Sequence, residues 1–370
     1  MIWIILLAAV LGIAAVGLAF ISSRTLRFGF ARKIYSENKK LGRAVSFWPV
    51  LLCLPFALIN IVTAVVVFVH LVVIWAVCDL IGFVINKLRK RERKGRYLNG
   101  FIAICVTAVY LGTGWFFAHH VFRTEYSFRT DKPLGQEKLR IVLIADTHLG
   151  ITLHESEMEE LVSRINDDEP DLVVICGDFV DDDSGKDDML GSCEALGRLR
   201  TKYGVYFNYG NHDKGYFNGR DFDADDLEEA LRRNNVTLLC DESLLINNSF
   251  YLVGRKDRSD DERLSAKELT RELDKSKYII MLDHQPNDYD NEAETGADLV
   301  LSGHTHGGHI FPIGPISLLI GANDQVYGQK VQNGTRFVVT SGASGWAIPF
   351  KTFAILEYVV IDIESIGTSA

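Results

Sequence analysis

The chain has 370 residues, 48% hydrophobic and 24% charged, with a formal net charge of −9. Those averages fit a soluble protein of about two domains, but the distribution does not. Residues 1–130 carry 16 Lys+Arg against 4 Asp+Glu, a net of +12, whereas 131–370 carry 23 against 44, a net of −21. A uniform globule, intrinsic disorder and a disulfide-dense secreted scaffold are excluded.

Residues 1–21 contain no charge, and an apolar run of about 20 can cross a hydrocarbon core. A cleaved secretory signal is the competing reading, but it needs a positively charged start, and the first charge here is Arg24. Residues 47–87 carry only Asp79 before the closing Lys87. As one helix they would measure about 60 Å, twice a bilayer core, so two spans folded back are expected. Residues 97–121 supply a fourth. The transmembrane region is thus expected over 1–125, with spans near 2–21, 47–66, 68–86 and 97–120.

Two basic loops, Arg24 to Arg43 and Lys87 to Arg96, hold seven Lys/Arg each. The positive-inside bias keeps both cytoplasmic, which requires an even number of spans between them. The fourth span then carries the acidic part out of the cytoplasm. Arg123, Arg129, Lys132, Lys138 and Arg140 follow it and favour the opposite orientation. His70 and Asp79 lie within spans, where ionisable groups are often functional; with no repeated pattern, a buried hydrogen bond is the expected role.

The remaining residues suffice for one domain with a substantial core, expected over 138–365. Apolar runs at 139–145, 172–176, 205–209, 236–239, 252–254, 278–282, 299–301 and 337–340 read as strands. Helical patterns at 155–166, 225–233 and 266–274 lie between them. The alternation predicts an α/β layered fold with a mixed sheet.

The chemistry gathers at five strand ends. These read Asp146-Thr147-His148, Gly177-Asp178-Phe179-Val180-Asp181, Gly210-Asn211-His212-Asp213, Asp283-His284 and Gly303-His304-Thr305-His306-Gly307. In α/β sheets ligands collect beyond the carboxyl ends of strands, so these loops are expected to converge. Together they offer about seven metal ligands, more than one ion needs and enough for two ions sharing a carboxylate. The His/Asp/Asn mixture without Cys suits manganese, iron or zinc.

This set, DTH, GDFVD, GNHD, DH and GHTHGG in order, resembles the calcineurin-like metallophosphoesterase superfamily, and its membrane-associated bacterial branch in particular. The resemblance implies a four-layer αββα sandwich of mixed sheets. It also implies two divalent ions, with Asp146, His148 and His306 on the first, Asn211, His284 and His304 on the second, and Asp178 bridging. A hydroxide shared by the ions would attack the phosphorus of a mono- or diester. His212 would act at the leaving group, held by Asp181, while Asn211 helps orient a phosphate oxygen. Asp213 is expected to be structural.

Departures from the family pattern are informative. Asp182 and Asp183 stand where protein phosphatases of the family have Arg, which removes a phosphate clamp and argues against a phosphoprotein substrate. His309 stands where this branch often has Gln, and is a candidate substrate contact. The acidic runs at Asp181 to Asp183, Asp187-Asp188 and Asp221 to Asp226 are expected to be solvated faces; if they rim the site they would repel long polyanions such as nucleic acid. The segment 342–351, with Trp346, Pro349 and Phe350, is expected to be a core or surface loop, its alternative being an apolar wall near the bilayer. Cys176 is expected to be a small core hydrophobe.

The leading expectation is an integral protein of a bacterial cell membrane, hydrolysing a phosphate ester, lipid-linked or not, on the outer face. Two others compete: a cytoplasm-facing pyrophosphatase of a nucleotide-linked lipid, and a non-enzymatic membrane sensor. Specificity is expected in the loops after Asp181, after Asp213 and between Gly307 and Tyr327.

Overall fold

The computed structural model describes residues 2–90, 97–216 and 219–366, and for 2–11 and 13 the backbone path alone. Arg91, Arg93, Lys94 and Arg96 of the second basic loop lie outside the described residues. The chain forms two units, Met1–Thr113 and Gly114–Ala370.

The first unit is helical: α1 (Ile2–Thr25), α2 (Gly29–Glu37), α3 (Lys39–Val45), a 3-10 helix (Trp48–Leu58), α4 (Ile61–Leu88) and most of α5 (Asn99–Ala118). Among the described residues, α4 and α5 are each long and apolar enough to cross a membrane. The pair formed by α3 and the 3-10 helix, bent by 41°, qualifies only if taken as one span.

The break within 47–86 lies elsewhere than expected. Nothing interrupts the chain near 66–68, and α4 runs for 28 residues, about 42 Å at 1.5 Å per residue. The interruption falls at Asn60, whose Oδ1 accepts the Thr63 backbone N–H at 2.7 Å, an N-cap that starts a helix. Within the first unit, Asp79 pairs with Arg24 Nε at 3.0 Å and accepts from the Tyr97 hydroxyl at 2.7 Å. His70 Nδ1 lies 2.7 Å from the Val66 carbonyl. Both polar groups are satisfied locally, as a structural role requires.

The second unit begins with the last turn of α5 and, among the described residues, is built from twelve strands. They are β1 (Val121–Thr130), β2 (Lys138–Ile144), β3 (Leu172–Cys176), β4 (Val205–Asn208), β5 (Val236–Leu238), β6 (Glu242–Ile246), β7 (Phe250–Gly254), β8 (Tyr278–Leu282), β9 (Leu299–Ser302), β10 (Gly328–Gln332), β11 (Thr335–Val339) and β12 (Leu356–Ser365). Helices α6 (Glu155–Asp167), α7 (Lys186–Leu196), α8 (Ala224–Arg233), α9 (Ala266–Thr270), α10 (Tyr289–Ala293) and α11 (Ile313–Leu319) connect them.

The strands form two mixed sheets, ordered β1-β12-β2-β3-β4-β5 and β10-β11-β9-β8-β7-β6. Side chains of a strand alternate between faces, and in β2 both faces are buried. Leu139, Ile141 and Leu143 enter the layer between the sheets with Leu282, Leu301 and Val338. Val142 and Ile144 pack outward with Met158, Leu161 and Leu231 of α6 and α8. The outer face of the second sheet packs Ile279, Met281 and Val300 against Ala266 and Tyr289. The result is helix, sheet, sheet, helix.

The domain starts earlier than the expected 138. Strand β1 pairs in parallel with β12 from Val121 to Thr130. Its sequence hides it, because it is an edge strand whose charged Arg123, Glu125 and Arg129 interrupt the apolar run.

Candidate metal centre and active site

The parallel strands β2, β3, β4, β8 and β9 all point their carboxyl ends the same way within their sheets, and the five motif loops leave from those ends. The loops are stitched together. Asp146 N–H donates to Gly177 O at 3.0 Å, His148 N–H to Asp178 O at 3.1 Å, and Gly303 N–H to His284 O at 3.0 Å. Asp146, His148, Asp178, His304 and His306 all have positive φ, between 34° and 68°. Such backbone is uncommon outside glycine and concentrates where function over-determines the conformation. The turns also need the absence of a side chain: a Cβ at Gly303 would lie 2.4 Å from Asp146 Oδ2, and one at Gly210 2.2 Å from Asp178 Oδ1.

Ligand atoms of Asp146, His148 and His306 lie within 4.8 Å of one another, as do those of Asp178, His284 and His304. Asp178 joins the two groups, since its Oδ2 is 3.0 Å from His284 Nε2 and 3.6 Å from His148 Nε2. Asn211 Oδ1 sits 2.8 Å from His304 Nδ1. All seven expected ligands are therefore brought together.

The hydrogen-bond pattern fits cations. His284 Nδ1 lies 2.8 Å from the Cys176 carbonyl and must donate there, which leaves Nε2 facing the Asp178 carboxylate at 3.0 Å. His148 Nδ1 lies 2.9 Å from Asp181 Oδ2, which turns its Nε2 toward His306 Nε2, 3.1 Å away. His148 and His284 each have an acceptor on the far ring nitrogen, the arrangement that prepares an imidazole for a metal.

Electrostatics separate the rings: burial opposes protonation of His284, yet the charge and hydrogen bond of Asp178 hold its pKa well above the ordinary imidazole range. Burial, then repulsion from His148 and Lys351, drives His306 well below the ordinary imidazole range. Burial and His284 bring His304 to about 4. Both rings are thus neutral at neutral pH, the form that ligates. Burial pushes Asp146 up to about 6 against the pull of His284 and His148. Burial would raise Asp178 too, but His284 and His148 outweigh it and hold the carboxyl well below its usual range.

His212 behaves differently. Its Nδ1 lies 3.1 Å from Asp181 Oδ1, its backbone N–H donates to Asp178 Oδ1 at 2.8 Å, and its ring borders that of His148. Burial opposes protonation, yet the Asp181 hydrogen bond and the Asp178 charge raise its pKa overall. Asp181 thereby serves His148 and His212 together, a double role that sequence reasoning missed. Asp213 is buried and accepts four backbone N–H groups, from Asp178, Phe179, Val180 and Gly210, at 2.7–3.1 Å.

His309 lies in a different setting from the one expected of a substrate contact. It is buried, with its ring 5.5 Å from that of His306, so it packs on a ligand instead of presenting an open face. Two aromatic side chains not singled out beside His212 flank it, Tyr216 at 5.0 Å and Trp346 at 5.8 Å between ring centres. Tyr216 also takes a hydrogen bond from Asn211 Nδ2 at 2.9 Å. Trp346 is exposed, as a surface loop would leave it, whereas Phe350 is buried.

A description of the calcineurin-like phosphoesterases matches residues 139–308. An uncharacterized metallophosphoesterase of Aquifex aeolicus is 33% identical over 270 residues, covering 70% of this chain and 98% of its own. The chain belongs to the calcineurin-like metallophosphoesterase family. An uncharacterized metallophosphoesterase of Campylobacter jejuni is also 33% identical, over 240 residues and 63% of this chain, and the match spans only 61% of that relative's length. A transmembrane protein with metallophosphoesterase domain from Danio rerio is 28% identical over 313 residues, covering 77% of this chain and 68% of its own. The globular domain is accordingly that of a divalent-metal phosphoester hydrolase, and its apolar helices agree with a membrane protein.

Proposed function

We propose that this metallophosphoesterase is a membrane-anchored, two-metal enzyme that hydrolyses a phosphate mono- or diester. The observation that carries this reading is the pair of ligand groups joined through Asp178 Oδ2 with His212 beside them. Two ions of Mn, Fe or Zn, when bound, lower the pKa of a coordinated water toward neutrality and polarise the phosphoryl group. The chain's own residues do the rest. Asp146, His148 and His306 would hold one ion and Asn211, His284 and His304 the other, with Asp178 serving both. His212, kept in orientation by Asp181, donates to the departing oxygen. The Asn211 amide, fixed by Tyr216, orients a phosphoryl oxygen.

The outer face of a bacterial membrane is the proposed location, and a lipid-linked phosphate the substrate class that suits a membrane anchor. Support for the orientation comes from the basic residues after α5. Arg123 pairs with Asp168 at 2.7 Å, Lys132 with Asp298 at 2.7 Å, and Arg140 with Asp362 at 2.8 Å. They are consumed by the fold and need no cytoplasmic location. Turnover of a generic aryl phosphodiester by the detergent-purified full chain with added manganese tests the reaction. Wild type should be active and Asp178→Asn inactive; equal inactivity across a broad ester panel would sink the enzyme reading. Alkaline phosphatase fused after Ala370 should be active if the domain lies outside.

A further inference from the structure

The connection from His306 to β10 contains no charged residue from Ile310 to Asn323. It is folded around α11, yet it keeps its apolar side chains outside. Phe311, Ile313, Ile316, Leu318, Leu319 and Ile320 are all exposed, Leu319 at 85% and Ile320 at 71%. Elsewhere in the globular domain, exposed large apolar residues such as Leu190, Leu245 and Leu264 stand singly. Isolated apolar side chains on a surface are ordinary, whereas a contiguous group marks an interaction site.

The segment is held in place. Phe311 N–H donates to Thr352 Oγ1 at 3.1 Å, and Thr352 N–H to His309 O at 3.0 Å. A Cβ at Gly308 would lie 2.7 Å from Gly314 Cα, so the two glycines let α11 lie flat against the loop that follows the metal ligand. The patch continues toward the end of α5 within the same unit. Phe353, itself exposed, has its ring 6.1 Å from Phe311. Lys351 N–H donates to Gly114 O in the last turn of α5 at 2.9 Å, and Phe350 meets Trp115 edge-on at 5.7 Å. Trp115 and the neighbouring Phe116 are exposed in turn.

We propose that residues 311–320, together with Phe353, insert into a lipid bilayer at the level where α5 leaves it, as a short in-plane anchor. Three features favour lipid over a protein partner. The segment has no charge to select a partner. It is continuous with a helix long and apolar enough to span a membrane. The 350–352 loop that holds it in place meets that helix beside Trp115 and Phe116, aromatic residues of the kind that mark the membrane interface. Apolar helix faces lying in the interface bind through such buried side chains. The inference concerns where the domain is held and does not depend on the reaction it catalyses.

The test uses the full chain in nanodiscs of phosphatidylcholine and phosphatidylglycerol, some lipids carrying a nitroxide high on the acyl chain. Leu319→Cys and Ile320→Cys, both too exposed to disturb folding, are labelled with a thiol-reactive fluorophore. Leu245→Cys, on β6 at the other edge of the second sheet, is the control, and identically treated wild type corrects for the native cysteines. Insertion predicts that the labels at 319 and 320 lose about half their emission or more to the nitroxide, while the label at 245 keeps its own. Quenching at 319 and 320 no greater than at 245 would overturn the proposal.

Discussion

Replacing Asp181 by Asn keeps the side chain's shape while removing its charge and one acceptor. In the native site Oδ2 faces His148 Nδ1 at 2.9 Å, and Oδ1 faces His212 Nδ1 at 3.1 Å and the Asp182 amide at 2.7 Å. An amide offers a single acceptor oxygen, so its NH2 group must face one of the two imidazoles. That ring has to move its proton to the far nitrogen. On His148 this protonates the Nε2 needed for the ion; on His212 it withdraws the carboxylate that stabilises the acidic form. Loss of an outer partner to a metal-bound His costs about 10–100-fold in metal affinity or activity, and loss of a general acid about 10²–10⁴-fold in rate. The expected fall in kcat/KM is therefore about 10²–10⁴-fold, or about 3–5 kcal/mol at 1.36 kcal/mol per tenfold. The assay is hydrolysis of aryl and alkyl phosphodiesters with graded leaving-group pKa, at limiting and saturating manganese, with bound metal measured by mass spectrometry. His212→Asn should keep its metal and lose more activity as the leaving group worsens; Asp181→Asn should show that trend and lose metal as well. If Asp181→Asn kept its metal and stayed within about threefold of wild type for every leaving group, the shared-carboxylate argument would be wrong.

Asp213→Ala strands four buried amides, those of Asp178, Phe179, Val180 and Gly210, and should cost more than about 3 kcal/mol. Thermal unfolding measures it, and a loss under about 1 kcal/mol would show that the loop holds its shape unaided. Arg255 is buried against Asp283, Asp288 and Glu292 at 2.7–3.0 Å; Arg255→Met leaves Asp288 and Glu292 uncompensated and Asp283 with Arg263 alone, and should cost about 3–5 kcal/mol. An unchanged melting temperature would mean that the acids simply shed their charge. Asp362 takes two bonds from the Arg140 guanidinium at 2.8 and 2.9 Å. Burial raises its pKa, but Arg140 and Lys138 outweigh burial and depress it. A depressed carboxyl stabilises the fold fully above its unfolded pKa of about 3.9, and the benefit disappears as pH falls through the lower folded value. Wild type should therefore lose stability more steeply than Asp362→Asn below about pH 4; parallel curves would refute the assignment.

The ligand loops were legible because each follows an apolar strand run and three of the five carry a His, Asp or Asn beside a Gly, a local signature that survives without tertiary information. What the chain hides is partnership across space. The carbonyl that orients His284 belongs to Cys176, and a backbone acceptor has no sequence mark. Trp346 reaches His212 through folding alone. Strand β1 escaped because one solvated face broke its apolar pattern, and its partner β12 lies at the far end of the chain. The interruption of the second apolar stretch was sought by length, which sets how many segments fit but not where they divide. Asn60 decided that by capping α4.

Five ligand-bearing residues hold backbone conformations with positive φ, each costing about 1–3 kcal/mol relative to relaxed chain. They are tolerable because the surrounding loops clasp them, and the ions of the proposed centre would tie their side chains together. Under the two-ion proposal, metal occupancy is a folding variable as well as a chemical one. Once the sites are mostly filled, each tenfold rise in free ion adds about 1.4 kcal/mol of stability per site. A copy starved of metal is then the copy most exposed to proteases, so ion supply governs how many molecules persist as well as how fast each one turns over.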